Sequence, residues 1–196
     1  MIVLNNSLSI TDEVFSLIVC NEVLYLKSFS EYLKENKEKV IKFFQTMDKM
    51  FDDYLGIKVD GTKETALKEI NEALIGELDN SHKHYVIENI EKEIIGYFYL
   101  YDYKENYKRC NISIGLVDKY RGKEYTKEIV KIICDEMFKQ GIIRIGAEIE
   151  TTNISSLRCM SKLGFKKEGI LRNQYGENIN CIVFSMIKED WINKKK

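Results

Sequence analysis

The feature that most restricts the fold of this chain lies between Cys110 and Ile149. An apolar run, Cys110–Val117, ends in a short loop carrying Lys119, Arg121, Gly122 and Lys123. The loop opens a helical pattern, Gly122 to Gln140, with Ile129, Ile132, Ile133 and Met137 at helical spacing and a stop at Gly141. A second strand-like run, Ile142–Ile149, follows at once. Strands joined through a helix are neighbours in parallel, whereas tight hairpins make antiparallel ones. Two further runs, Tyr85–Ile90 and Ile94–Tyr101, precede this unit, and the polar linkers Glu91-Lys92-Glu93 and Asp102 to Arg109 read as hairpin connections. Asn153–Leu163, ended by Gly164, reads as a helix and Asn180–Ile187 as a last strand. The expected class is therefore α/β (α+β): a mixed, mostly antiparallel central sheet flanked by helices and partly parallel at the crossover.

Upstream, Met1 to Phe29 reads as strand and loop. From Ser30 to Tyr54, Val40, Phe44, Met47, Phe51 and Tyr54 form one apolar stripe, which predicts a helix capped by Ser30 and ended by Gly56. A turn at Asp60-Gly61 leads to Thr62, the expected N-cap of a helix over Lys63 to Leu78.

Length and charge exclude several classes. With 196 residues, 44% of them hydrophobic, the chain suits one domain with a substantial core. A net charge of −1 offers no basic excess for a nucleic acid. No apolar stretch approaches the ~20 residues of a membrane span, and the N-terminus lacks the pattern of a signal peptide. Five scattered cysteines (Cys20, Cys110, Cys134, Cys159, Cys181) without a CxxC pair read as buried, reduced thiols of a cytoplasmic protein. His82 and His84 read as surface strand histidines, and no spacing supplies a metal site. There is no proline, so every turn rests on Gly, Asn, Asp or Ser.

Ile112 to Thr126 carries the chemistry. A glycine and three basic residues at a helix N-terminus suit a diphosphate, though a solvated charged turn has the same composition. A second stretch follows the next strand: Thr152-Asn153-Ile154-Ser155-Ser156, then Met160-Ser161-Lys162-Leu163-Gly164-Phe165 and Glu168-Gly169. Together with Tyr120-Arg121-Gly122-Lys123, it resembles the GNAT superfamily of N-acetyltransferases, in its RimJ/RimL-type branch. The resemblance covers about Thr62 to Trp191 and is strongest from Ile112 to Arg172. It implies a single domain over 1–196, with 1–78 a variable substrate-side region and 83–191 an acetyl-CoA-binding core whose splayed strand pair forms the acyl-CoA cleft. It further implies an acyltransferase that moves an acetyl group directly from acetyl-CoA, without a metal, to a primary amine. Protein N-termini and small-molecule amines are both acceptors of this branch, and a homodimer is compatible with it. Leu116 and Val117 would pair with the pantetheine arm through their backbone. Arg121, Gly122, Lys123, Glu124, Tyr125 and Thr126 would surround the diphosphate. Asn153 would contact the cofactor arm, and Ser156 would protonate the leaving thiolate. Asn153 and Ser156 also stand where N-cap and first-turn residues belong, so capping accounts for them equally well.

Three departures from the family pattern matter. In R/Q-x-x-G-x-G/A the last position is Glu124, whose charge should weaken the cofactor site. The branch's strand glutamate is replaced by Ser113, which leaves Glu150, Glu148 or Glu88 as a base, or a water-relayed base, or simple capture of the neutral amine. Met160 stands where many members have an acidic tyrosine, which leaves Ser156 or Tyr175 as proton donor. The candidate catalytic set is thus Ser156, Tyr175 and Glu150. These losses keep open a second class, a catalytically weak acyl-CoA-binding or protein-interaction module. The family's frequent proline before the diphosphate loop is also missing, so the loop is expected to depend on the cofactor for its order.

Overall fold

A hairpin of β1 (Val14–Val19) and β2 (Glu22–Ser28) begins the computed structural model, which describes residues 14–78 and 80–194. Residues 1–13 of the expected N-terminal strand-and-loop segment lie outside the described residues. A meander of β3 (Lys83–Asn89), β4 (Ile94–Lys104) and β5 (Arg109–Leu116) follows, then β6 (Arg144–Glu150), β7 (Lys166–Leu171) and β8 (Cys181–Ile187). All join one eight-stranded sheet in the order β1-β2-β3-β4-β5-β6-β8-β7. Every pairing is antiparallel except β5 with β6, the crossover expected from the sequence.

Helices cover both faces. α1 (Phe29–Thr46), α2 (Lys49–Leu55) and α3 (Lys63–Leu78) bury Phe29, Phe44 and Phe51 together with Val86 and Tyr97 of the sheet. On the opposite face α4 (Tyr125–Lys139), α5 (Ile154–Leu163) and α6 (Lys188–Asn193) pack Ile129, Ile133, Met160 and Trp191 against Leu26, Phe98, Ile112 and Ile145. These aliphatic and aromatic contacts are the main driving force for the layered arrangement.

The single helix expected from Ser30 to Tyr54 is two helices. α1 bends at Asn36 (φ −126°, ψ 31°), whose side-chain amide donates to the Tyr32 carbonyl at 3.1 Å. α2 starts afresh because the Asp48 carboxylate accepts the Met50 amide at 3.1 Å. The chain enters α1 at Phe29, so Ser30 does not cap it. Gly56, at φ 70°, does end α2, and the Thr62 hydroxyl accepts the Thr65 amide at 3.2 Å at the start of α3. β7 and α6 went unread: β7 is a largely exposed edge strand, and without a buried face it has no period-two pattern to read.

Cys110, Cys134 and Cys181 are buried and Cys20 and Cys159 half-buried, all as free thiols. His84 corrects the surface reading of the histidines. It is buried, stacks on His82 and Tyr97 with both centroids at 5.6 Å, and shares a 2.7 Å hydrogen bond with the Tyr97 hydroxyl. Burial, with His82 adding to it, pushes its pKa down to about 4. Glu88 is equally buried, and its carboxylate accepts Lys27, the Tyr32 hydroxyl at 2.7 Å and Lys39 at 2.8 Å. Burial alone would push this carboxyl up, but the three donors outweigh it and hold it below the ordinary range. The group ties α1 to β2 and β3.

Two outcomes follow for stability. His84 is neutral in the fold, so its contribution is complete above pH 6.5 and is lost as pH falls toward 4. Urea melts should lose about 3 kcal/mol more over that window in the native chain than in His84→Gln. Glu88→Ala, which leaves two half-buried lysines unpaired, should cost about 3 kcal/mol at neutral pH in the same assay.

Candidate active site

β5 and β6 are in register only at Arg109–Arg144, Cys110–Ile145 and Asn111–Gly146. At that last pair the Asn111 side-chain oxygen fills the space a Cβ on Gly146 would need, and beyond it the strands part. The Val117 amide donates to the Ile95 carbonyl at 2.9 Å. By the two-residue alternation of an antiparallel ladder, the backbone groups of Ile114 and Leu116 therefore face the gap that β6 has left. α2 closes one side of the gap. A Cβ on Gly115 would stand 2.8 Å from the Phe51 ring and 2.9 Å from Leu55, so only glycine admits the helix this close.

Two adjoining cavities occupy the gap and share Met50, Tyr54, Ile114, Asn153 and Ser156. The larger, about 350 Å³, takes in every cofactor-side residue expected from the sequence except Val117 and Lys123. Val117 spends its amide on β4. Lys123 lines a separate depression with Lys119, Asn21 and Glu22, on the side of the β1–β2 hairpin. In their place the cavity gains the edge of Ile114 and three cations that sequence reading passed over: Lys127 on α4, and Arg158 and Lys162 on α5. The four-residue spacing of Arg158 and Lys162 on one helix face was the available signal.

The loop is held without proline. Arg121 donates from Nε to the Leu116 carbonyl at 2.6 Å, and its guanidinium pairs with both Asp48 oxygens at 2.7 and 2.9 Å. Tyr120 is buried, meets the Tyr125 ring edge-on at 5.2 Å, and its hydroxyl accepts the Asn89 amide at 3.2 Å. These contacts tie the loop to β5, to the start of α2 and to β3. Gly122 (φ 71°) and Glu124 (φ 64°) both lie in the left-handed region, a conformation that costs a non-glycine residue about 1 kcal/mol. The Glu124 carboxylate accepts Lys127 and lies 3.6 Å from the Lys162 ammonium.

The smaller cavity, about 80 Å³, brings together Ser156, Tyr175 and Glu150, the expected catalytic set, with Glu148, Asp53, Ser113 and Met160. Glu150 accepts the Thr152 hydroxyl. Glu148 is fixed from outside its strand: one carboxylate oxygen accepts the Tyr175 hydroxyl at 3.2 Å and the Gln174 amide at 3.1 Å. Partial desolvation, then the Glu148 charge, pushes the Tyr175 hydroxyl above the usual phenol range, although the side chain as a whole is largely exposed. The Asn153 side chain accepts the Ser156 amide at 3.2 Å and the Ser155 hydroxyl at 3.1 Å, so it is the N-cap of α5.

Charge is segregated along the cleft. Arg121, Lys127, Arg158 and Lys162 outweigh Glu124 in the larger cavity, whereas the charged residues of the smaller one are Asp53, Glu148 and Glu150, all acidic. No group of three or more His, Cys, Asp or Glu residues suited to a metal occurs among the described residues. No described helix is long and apolar enough to cross a membrane.

Comparison with known proteins agrees with this geometry. An uncharacterized N-acetyltransferase of Bacillus subtilis (strain 168), YoaA, is 30% identical over 101 residues, 50% of this chain and 57% of that protein. The chain thus aligns with little more than half the length of that relative. The crystal structure of apo RimL, a ribosomal-protein alpha-N-acetyltransferase, superimposes with a TM-score of 0.70 at 16% identity, covering 89% of this chain and 94% of that one. The spermidine N-acetyltransferase of Vibrio cholerae, in complex with CoA and spermine, gives 0.67 at 15% identity over 87% and 98%. Residues 32–166 match the acetyltransferase (GNAT) domain, which spans both walls of the cleft, and the chain belongs to that family.

Proposed function

We propose that this protein is an N-acetyltransferase of RimJ/RimL type that moves an acetyl group from acetyl-CoA to a primary amine in a ternary complex. The observation that carries the reading is the charge-segregated cleft: a basic cavity for a polyphosphate-bearing donor opens into an acidic one for a protonated amine, with Ser156 where they meet. The basic cavity suits CoA. It combines the N-terminus of α4, the glycine loop and three lysine or arginine side chains of α4 and α5. Acetyl-CoA supplies an acyl thioester. The Leu116 amide, facing the gap, is the donor that would polarise its carbonyl. Side-by-side binding of the two reactants supplies orientation.

Of the two strand carboxylates, Glu148 is the better base. Tyr175 and Gln174 hold one of its oxygens, which orients the other toward an incoming amine. Tyr175 then serves as a positioning donor, because its hydroxyl proton is committed to Glu148, and Ser156 remains the proton donor. The bound ammonium first gives one proton to Glu148; as the C–N bond forms and the C–S bond breaks, the sulfur takes the Ser156 proton, and the second proton shed by the acylated nitrogen restores the serine hydroxyl. The three carboxylates of the acceptor cavity suit a protonated amine of either kind, a protein N-terminus or a small molecule. The RimL and spermidine enzymes show that this fold accommodates both. Free thiols support a cytoplasmic setting.

Thiol release from acetyl-CoA tests the reading, with an Ala-initiated peptide, spermidine and glucosamine as acceptors. Saturable turnover with one of them is expected; CoA binding without turnover from any would favour the binding-module alternative. With the active acceptor, Glu148→Gln should lower kcat about a hundredfold and Ser156→Ala at least tenfold, with acetyl-CoA affinity unchanged. Full turnover by Ser156→Ala would remove it as the donor. A larger loss in Glu150→Gln than in Glu148→Gln would reverse the assignment of the base.

A further inference from the structure

The basic residues that the sequence assigns to phosphate are largely spent elsewhere. Arg121 is bound to Asp48 and the Leu116 carbonyl, and Lys119 and Lys123 line the depression beside the β1–β2 hairpin. Two other ammonium groups, from different helices, converge in the cofactor cavity. Lys127 in the first turn of α4 and Lys162 in the last turn of α5 contact opposite oxygens of one carboxylate, that of Glu124. Glu124 holds this position from a left-handed backbone at φ 64°. The same lysines continue into a groove with Lys131 and Lys194, whose one acidic lining residue, Asp135, already accepts the Trp191 indole at 2.6 Å.

We propose that Lys127 and Lys162 form a phosphate clamp and that Glu124 is its built-in competitor, a carboxylate that a phosphate group of the cofactor must displace. The proposal rests on the acetyl-CoA reading. It differs from simple repulsion between Glu124 and phosphate, because the penalty passes through the lysines. Two lysines that meet on one three-atom anion are already spaced to grip a phosphate's oxygens. Breaking their existing pairs is what lowers cofactor affinity.

Titration calorimetry with CoA on the full chain separates these ideas. Glu124→Gln keeps the side-chain length and the backbone strain but removes the charge, and should tighten CoA binding about fivefold. Lys127→Met/Lys162→Met should weaken CoA binding about tenfold, and in that background Glu124→Gln should gain less than about twofold. A gain of the same size in both backgrounds would show plain repulsion and overturn the competitor. Unchanged CoA affinity in the double-lysine variant would overturn the clamp while leaving the acetyl-CoA reading intact. Failure of every form to bind CoA would instead overturn that reading and the clamp with it. Dephospho-CoA identifies the phosphate gripped: loss of the lysine effect assigns the ribose phosphate, and its persistence assigns the diphosphate. Glu124→Gly should tighten CoA at least as much as Gln and also raise thermal stability by relieving the left-handed residue.

Discussion

The rest of the site depends on where the pairing of β5 and β6 stops. Two parallel strands that stayed in register would spend their backbone groups on each other and leave no cleft. Here the ladder ends at Asn111 and Gly146, with the Asn111 side chain lodged over the glycine. From that point the Ile114 backbone and the Leu116 amide face the gap, while Arg121 takes the Leu116 carbonyl, a local defect that a ligand with amide groups of its own can satisfy. The sheet tolerates the break because five strands on one side of it and three on the other remain continuously paired, and because helices pack across both faces.

The second constraint is the absence of proline. A loop of this kind, opening a helix next to a charged ligand, needs some means of holding its backbone. Arg121 provides one by reaching across 73 residues of sequence to Asp48, the residue that caps α2. One ion pair thereby joins the donor-side loop to the helix that walls the acceptor side. The pair is partly exposed and contributes modestly to stability. Its importance is geometric: it sets the distance between the two walls. In the proposed clamp its consequence is chemical as well, since a guanidinium committed to Asp48 would leave phosphate recognition to lysines farther along α4 and α5.

Much of the fold was legible in the sequence because the hydrophobic period switches cleanly from two to 3.6 at the boundaries of β5, α4 and β6. The motif residues Arg121, Gly122 and Glu124 to Thr126, with Asn153 and Ser156, also fell into one cavity, Lys123 alone turning away from it. What was missed has a common cause. The break between α1 and α2 lies within an unbroken apolar stripe, so only the Asp48 cap marks it. β7 has no buried face to impose a pattern. His84 alternates correctly for a strand, but its burial depends on α1 and α3 covering that face. Lys127 and Lys162 are unremarkable as sequence, and they meet only because α4 and α5 pack side by side.

A basic cavity and an acidic cavity meet at Ser156 in the gap between β5 and β6. A crystal structure with CoA bound tests it most directly. The pantetheine arm is expected along Ile114 and Leu116, phosphate oxygens at the α4 N-terminus and Lys127, and the sulfur within reach of the Ser156 hydroxyl. CoA bound outside this gap, or with its sulfur directed away from Ser156 and Glu148, would contradict it.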